Sequence, residues 1–149
     1  MQDYGDAPMN YEDKLQVEFK VYDLGYVQIG TNFYNMLDDG TPDFDSPQNN
    51  AGSGYDNDGN PLQATAAYMV DFGKCIILPN ERANNITLAD GKTYTYNYEV
   101  IAPLSSKRYR MIPREGDMVH ILKKDGTVDK TMEVKGYVTL KKRYLKIWL

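Results

Sequence analysis

Hydrophobic and polar residues alternate with a period of two along several stretches of the chain, which is the pattern of half-buried β-strands. In residues 16–22, Val17, Phe19 and Val21 share one face, and polar or charged side chains occupy the other. Residues 93–101 alternate in the same way, with tyrosines and a valine on one face. Each of these two stretches predicts one strand.

Two further stretches between these strands carry apolar residues. Residues 74–78 form a short apolar run that Pro79 and Asn80 terminate, which predicts a buried strand. Residues 62–70 fit a short helix and a strand equally well, and both alternatives stay open.

The last third of the chain has the clearest pattern of turns. Gly116 and Asp117 form a turn before a predicted strand at residues 118–123. Asp125 and Gly126 follow, and this pair supplies the positive φ angles of a tight hairpin. We therefore expect a β-hairpin centred on the Asp-Gly pair.

The strand that returns from this hairpin is predicted to alternate apolar and polar residues over residues 128–138, with a bulge at Gly136. A final strand follows in residues 142–149, and its inward face consists of Leu145, Ile147 and Leu149. No stretch sustains a 3.6-residue apolar period beyond two turns. These patterns predict an all-β fold, a small β-barrel or sandwich.

The length of 149 residues suits one domain with one core. We expect a single β domain over residues 1–149. Within it, residues 1–15 are predicted to be an N-terminal arm, residues 37–62 a flexible acidic loop inserted between early strands, and residues 74–149 the main barrel strands.

The predicted loop at residues 37–62 is acidic and rich in glycine and asparagine, and it contains neither lysine nor arginine. Structureless loops of this length are uncommon in compact domains and are usually functional or disordered. We therefore regard its six carboxylates as candidate site residues: Asp38, Asp39, Asp43, Asp45, Asp56 and Asp58.

Charge is distributed unevenly along the chain. Residues 1–106 contain 5 lysines and arginines against 16 aspartates and glutamates, whereas residues 107–149 contain 12 against 5. This division indicates end-to-end self-association, different partners on different faces, or an uneven but solvated surface. The candidate residues for a subunit or partner interface are Lys107, Arg108, Arg110, Lys141, Lys142, Arg143 and Lys146.

Basic residues beside aromatic ones also suit single-stranded nucleic acid, because cations contact phosphates and rings stack on bases. A pI near 5.0 and the lack of a known nucleic-acid motif argue against sequence-specific binding. Docking of the basic residues onto an acidic partner subunit explains them equally well.

Catalytic patterns are nearly absent from the sequence. The only histidine, His120, lies in a predicted strand, and no nucleophile elbow, phosphate loop or zinc-ligand cluster occurs. Residues 54–60 resemble part of a calcium loop, but Gly54 and Thr65 occupy the positions that require acidic ligands. We expect neither an enzyme nor a metal or other cofactor, although an irregular oxygen site stays open.

The single cysteine, Cys75, is predicted to be a small buried hydrophobe in a reducing compartment. Residues 1–10 lack the basic and apolar regions of a signal peptide, and no apolar run reaches the length of a membrane span. We expect no membrane association.

The second half of the chain carries a pattern of turns and apolar positions that begins near residues 69–80. It continues through Gly116-Asp117-Met118-Val119, Asp125-Gly126, Val134-Lys135-Gly136 and residues 144–149. In this pattern, which involves no catalytic residues, the chain resembles the small head-closure (stopper) and minor capsid proteins at the head–tail junction of tailed bacteriophages. The first 60 residues match only loosely, as a strand followed by a variable insertion.

The resemblance implies a β-barrel subunit of a virion, made in the cytoplasm of a bacterial host, that assembles with itself into a ring beneath the portal. Its partners would be portal or adaptor proteins, tail proteins and, through proximity without sequence specificity, the packaged double-stranded DNA. The acidic loop would project into the channel to retain the genome. Carboxylates suit this position because they repel phosphates, whereas lysine or arginine would bind them.

Two alternatives remain. One is a stand-alone β-barrel module for carbohydrate or single-stranded nucleic acid, with the 13 tyrosines as its binding platform. The other keeps the phage context and assigns a neighbouring component, such as a tail terminator or a minor capsid protein.

Overall fold

The computed structural model describes residues 11–22, 25–48, 58–61, 63–81, 84–88, 90–141 and 143–149. Nearly all of the regular structure is β, which confirms the predicted all-β class. The elements are β1 (Asp13–Tyr22), β2 (Tyr26–Ile29), β3 (Asn32–Met36), β4 (Pro42–Pro47), β5 (Ala64–Pro79), β6 (Asn85–Thr87), β7 (Thr93–Thr95), β8 (Tyr98–Pro103), α1 (Ser106–Tyr109), β9 (Met118–Leu122), β10 (Val128–Glu133), β11 (Gly136–Leu140) and β12 (Tyr144–Trp148).

The central strand is β1. Its predicted alternation is confirmed at Val17 and Phe19, which are buried, whereas Val21 is only half-buried against the core. Leu15, ahead of the predicted stretch, continues the buried face. β5 pairs along one edge of β1, and the opposite edge is divided between β9 at Lys14–Val17 and β2 at Lys20–Tyr22. The sheet therefore branches at β1.

Within the described residues the main sheet has ten strands, and every pairing in it is antiparallel. Its principal path runs β11-β12-β8-β5-β1-β2-β3-β4, and β9 and β10 form the branch. The sheet curls into about half a barrel. β6 and β7 form a separate hairpin.

β5 carries the chain from one part of the sheet to the other. A register shift leaves Phe72 as an extra residue opposite the Leu15–Gln16 step of β1, and the neighbouring Gly73 has a φ of +99°. Beyond this bulge β5 stays paired with β1 as far as Cys75, and it pairs with β8 from Ile76 onward. Bulges bend strands, so this one directs β5 around the curl of the sheet.

The hydrophobic core draws on strands from across the curled sheet. It combines residues from β1, β2, β5, β8, β9 and β12, including Phe72, Ile147 and Leu149, each no more than 1% exposed. The predicted inward face of the last strand is confirmed, because Leu145, Ile147 and Leu149 are all buried. Cys75 is also buried, as predicted.

Two predicted strands are divided in the structure. Residues 93–101 form β7 and β8 in different sheets, because the backbone N–H groups of Asn97 and Tyr98 both donate to the carbonyl of Leu149 and break the run. Residues 128–138 divide at Val134 and Lys135, so Gly136 begins β11 and the predicted bulge there is wrong.

The Asp125–Gly126 hairpin is confirmed, since β9 and β10 pair on either side of it. The predicted φ angles are only half right, because Gly126 has a positive φ and Asp125 does not. The loop is a three-residue turn closed by a hydrogen bond from the Lys123 N–H to the Thr127 carbonyl.

The predicted domain divisions also need correction. β1 begins at Asp13, so the N-terminal arm does not extend to residue 15, and residues 1–10 lie outside the described part of the chain. Residues 64–70 belong to β5, which decides for a strand over a helix. The main sheet draws on β1 to β4 as well as on residues 74–149.

Candidate interaction surfaces

The first half of the predicted acidic loop is ordered as a hairpin. Residues 42–47 form β4, which pairs with β3, so the expectation of a structureless arm is wrong for residues 37–48. We call β3, β4 and the turn between them the acidic hairpin. Residues 49–57, which include Asp56, lie outside the described residues.

Local hydrogen bonds occupy two carboxylates of the acidic hairpin. Asp39 accepts from the Thr41 hydroxyl at 2.6 Å and from the Thr41 N–H at 3.0 Å, and these bonds lower the pKa of Asp39. Asp43 accepts from the Asp45 N–H at 3.1 Å. These side chains hold the backbone of the hairpin in place.

Asp45 joins the acidic hairpin to a residue predicted for the basic interface. Its carboxylate lies 2.9 Å from the Arg110 guanidinium, which also donates to the Phe44 carbonyl at 2.9 Å. The Tyr34 hydroxyl donates to the Arg110 carbonyl at 3.0 Å. The two predicted sites therefore contact each other within one chain.

The other described carboxylates of the predicted channel loop are exposed. Asp38 lies at the tip of the turn between β3 and β4, and Asp58 lies in a turn ahead of β5. Asp38, Asp39 and Asp45 thus give the acidic hairpin a solvent-facing negative surface.

Arg108 binds the chain's own backbone. Its guanidinium donates to the carbonyls of Lys74 at 2.9 Å and Pro103 at 3.2 Å, and it lies 5.8 Å from the centre of the Phe72 ring. Arg108 therefore ties the β5 bulge to the end of β8.

The remaining basic candidates differ in their availability. Lys146 forms an ion pair with Glu99 at 2.9 Å across β12 and β8. Lys107, Lys141 and Arg143 are exposed, and Lys142 lies outside the described residues. Lys141 and Arg143 belong to the turn between β11 and β12. The exposed part of the predicted basic interface is therefore this turn together with Lys107.

The two ends of the principal sheet path carry opposite charge. β4, with Asp43 and Asp45, lies at one end. β11 lies at the other end, between Lys135 and the turn that contains Lys141 and Arg143. Along this path, six described strands lie between the acidic surface at β4 and the basic surface at β11.

The described residues offer little for catalysis or metal binding. His120 lies in β9 and is half-buried between its partners Gln16 and Thr131. Burial raises the pKa of the Cys75 thiol to about 12, which keeps it protonated at neutral pH. No group of histidine, cysteine, aspartate or glutamate suited to a metal ion occurs among the described residues, and the first half of the calcium-like segment lies outside them.

The tyrosines of residues 93–101 do not form one continuous platform. The Tyr94 hydroxyl donates to Glu115, Tyr96 lies 6.4 Å from Trp148, and Tyr98 contacts Lys130. Tyr96 does line an open cleft of about 280 Å³ together with Leu78, Pro79, Asn80, Glu81, Asn84 and Glu99.

A buried polar cluster that was not predicted from the sequence lies between β1, β2 and the loop before β9. Asp117 is 5% exposed, Gln28 is 7% exposed, and Glu18 and Lys20 line the same small pocket. Burial raises the pKa of Asp117, although it accepts a hydrogen bond from the Arg114 N–H at 3.0 Å. The sequence holds no local signal for the cluster, because its members come together only in the folded chain.

No helix in the described part of the chain is long and apolar enough to cross a membrane.

No protein-family model, curated protein or solved structure matches this chain.

Proposed function

We propose that the chain is a structural subunit of a phage-like particle: a head–tail connector of the head-closure type that forms a ring and extends the portal channel. The observation that carries the proposal is the separation of charge between the two ends of one sheet, with acidic β4 at one end and the basic turn after β11 at the other. A subunit with two different, complementary surfaces suits the head-to-tail contacts that close into rings.

The acidic hairpin supports a role beside DNA. Asp38 and Asp39 are exposed at its tip, and Asp45 is 93% exposed even though it contacts Arg110. Repeated around a ring, these carboxylates give a channel a negative lining that repels phosphates and lets the genome pass. Arg110 and Tyr34 fix the base of the hairpin, so the negative surface has a defined position on the subunit.

Location in the particle is the first test. Immunogold electron microscopy of purified tailed particles, with an antibody raised against this chain, is expected to label the junction of head and tail. Label on the capsid body or the tail tip, or none on the particles, contradicts the proposal.

The channel role has a separate test in Asp38→Lys, which places a cation at the tip of the acidic hairpin. We expect normal particle assembly and slower, more salt-dependent DNA ejection, because each lysine adds a phosphate contact per subunit. Asp129→Lys, at an equally exposed carboxylate on β10, is the matched control and leaves ejection unchanged. Equal ejection rates in the two variants would mean that the acidic hairpin does not line the channel.

A second candidate, a carbohydrate-binding module, is favoured by the cleft beside Tyr96. An aromatic ring next to asparagine and glutamate side chains is a suitable lining for a sugar. Glycan-array binding that Tyr96→Ala abolishes, and that Tyr109→Ala at an exposed site elsewhere does not, would favour this candidate over the connector.

A further inference from the structure

Three strands of the main sheet, β4, β10 and β11, each have only one neighbour among the described residues. An exposed strand edge presents unpaired N–H and C=O groups and is a template for another strand. These three edges differ in whether another strand can pair with them.

The edge of β4 is blocked. Pro42 and Pro47 at its ends have no N–H to donate. Between them, the Phe44 carbonyl accepts from Arg110 and the Asp45 N–H donates to Asp43, so the chain itself already uses these groups.

The edge of β10 is protected by charge. Asp129, Lys130 and Glu133 are spread along its length, and five of its six residues are exposed. Charged side chains of this kind deter pairing of an edge with another chain.

β11 has neither form of protection. Its sequence, Gly-Tyr-Val-Thr-Leu, contains no charge and no proline, and it is rich in residues that favour strands. Tyr137 is 46% exposed and Val138 is 36% exposed. β12 occupies one edge of β11, and within the described residues no strand occupies the other.

The charges around β11 specify what fits its open edge. Lys135 precedes the strand, and Lys141 and Arg143 follow it, so both ends are positive. Near the middle, Lys146 opposite Val138 is neutralised by Glu99. The complementary segment has an uncharged, strand-forming centre and carboxylates at both ends.

A second copy of β11 does not meet this requirement. Antiparallel pairing of two copies about Val138 would place Lys135 of each copy opposite Lys141 of the other, and like charges directly opposite destabilise strand pairs.

We infer that the open edge of β11 is a docking site for an extended acidic segment of a different protein, which adds to the sheet as a further strand beside residues 136–140. The backbone of that segment supplies the affinity, and its terminal carboxylates contact the cations at the two ends of β11. The inference rests on the proposed function in one respect, because that function places the partner at the junction of head and tail.

The test uses the full chain, labelled for amide NMR, and the synthetic peptide Glu-Glu-Val-Thr-Val-Tyr-Glu-Glu. We expect the peptide to shift the amide signals of residues 136–140. A peptide with lysines in place of the glutamates is expected to bind at least about tenfold more weakly. No response of these amides at ~1 mM peptide, or equal binding of the two peptides, overturns the inference.

Matched variants separate docking on the edge from a general charge effect. Val138→Lys places a charge at the centre of β11 and is expected to abolish binding, as is Thr139→Lys. Val128→Lys, at an exposed valine on β10, leaves binding intact. The double variant Lys135→Glu, Lys141→Glu is expected to prefer the lysine peptide. If Val128→Lys and Val138→Lys weaken binding equally, the edge of β11 is not the site.

The remaining outcomes distinguish other occupants and the proposed function itself. Self-association of the chain that Val138→Lys abolishes would assign the edge to a second copy and overturn the inference. If immunogold label lies at the junction of head and tail but the chain does not bind the peptide, only this inference is overturned. Peptide binding by a chain that is absent from particles removes the proposed function and leaves the docking edge standing.

Discussion

At the scale of single residues, Gly30 is placed where a side chain has no room. Its φ is +56°, and a Cβ added there would lie 2.0 Å from the carbonyl oxygen of Ile112. Gly126 has a φ of +88° but has open space around it. Comparing Gly30 with Gly126 therefore separates the effect of a positive φ from the effect of a close contact with the backbone of Ile112.

Gly30→Ala is expected to lower the free energy of unfolding by about 3 kcal/mol, because the backbone angle and the contact with Ile112 are both violated. Gly126→Ala, the matched control, is expected to cost about 1 kcal/mol for the angle alone. Urea denaturation measures both. Equal losses would mean that the loop at Ile112 moves aside without cost.

Arg108 was predicted as an interface residue, and the structure gives it bonds to the backbone of β5 and β8. Arg108→Met is expected to lower the free energy of unfolding by about 2 kcal/mol, because two carbonyls lose a charged donor. Lys107→Met, at the exposed neighbouring residue, is expected to change it by less than about 0.5 kcal/mol. Thermal or urea unfolding measures both losses. Similar losses in the two variants would mean that the hydrogen bonds of Arg108 do not stabilise the fold.

Asp117 gives a pH dependence with a definite sign. Its pKa is raised by burial, so the folded state holds the proton more tightly than the unfolded state. Wild-type stability relative to Asp117→Asn is therefore expected to fall as pH rises from below 3.8, the ordinary value, through the raised pKa. Urea unfolding of both proteins across this pH range measures the two free energies of unfolding. A wild-type stability that rises relative to Asp117→Asn as pH rises contradicts the assignment.

At the scale of elements, one turn design recurs in three hairpins. Asp39-Gly40, Asp90-Gly91 and Asp125-Gly126 each place a glycine with positive φ after an aspartate whose carboxylate accepts the N–H two residues on. The Asp-Gly pairs were visible in the sequence. Only the one at Asp125 was predicted as a hairpin, because β-strand patterns flank it clearly on both sides.

Asp125→Ala tests the turn between β9 and β10. The hydrogen bond from the Thr127 hydroxyl lowers the pKa of Asp125, so the stabilisation is present above pH 3.8 and is lost as pH falls through the lowered value. The variant is expected to have a lower Tm than the wild type at neutral pH and the same Tm in strong acid. Asp129→Ala, on the adjacent strand, is the control and leaves Tm unchanged. If Asp125→Ala lowers Tm by the same amount at every pH, the stabilisation does not come from a charged hydrogen bond.

The strands β9 and β12 keep one face in the core along their whole length, and β1 does so from Leu15 to Phe19, so the alternation of the sequence survives folding there. The strands that were predicted too long end where another part of the chain takes their hydrogen bonds. Asn97 and Tyr98 donate to Leu149, which is distant in sequence. No local pattern contains that information.

At the scale of the whole molecule, the acidic hairpin and the basic residues near α1 meet through Asp45 and Arg110. A double-mutant cycle with Asp45→Ala and Arg110→Ala is expected to give a coupling of about 0.5 kcal/mol, because the Asp45 side chain is 93% exposed and the Arg110 side chain 42% exposed. The coupling is expected to shrink with added salt. The less exposed pair Glu99–Lys146 is the comparison and should retain more of its coupling in salt. A salt-independent Asp45 coupling contradicts the solvated geometry.

The sequence by itself determined the all-β class, the buried faces of β1 and β12, the burial of Cys75 and the Asp125–Gly126 hairpin, because each depends on residues within one strand or turn. It also determined the division of charge along the chain. The tertiary structure decided that residues 42–47 pair with β3 in the acidic hairpin, that Arg108 and Arg110 bind within the chain, and that β11 is left with an unprotected edge among the described strands. Those features depend on which distant segments lie side by side, and a pattern of period two does not specify its neighbours.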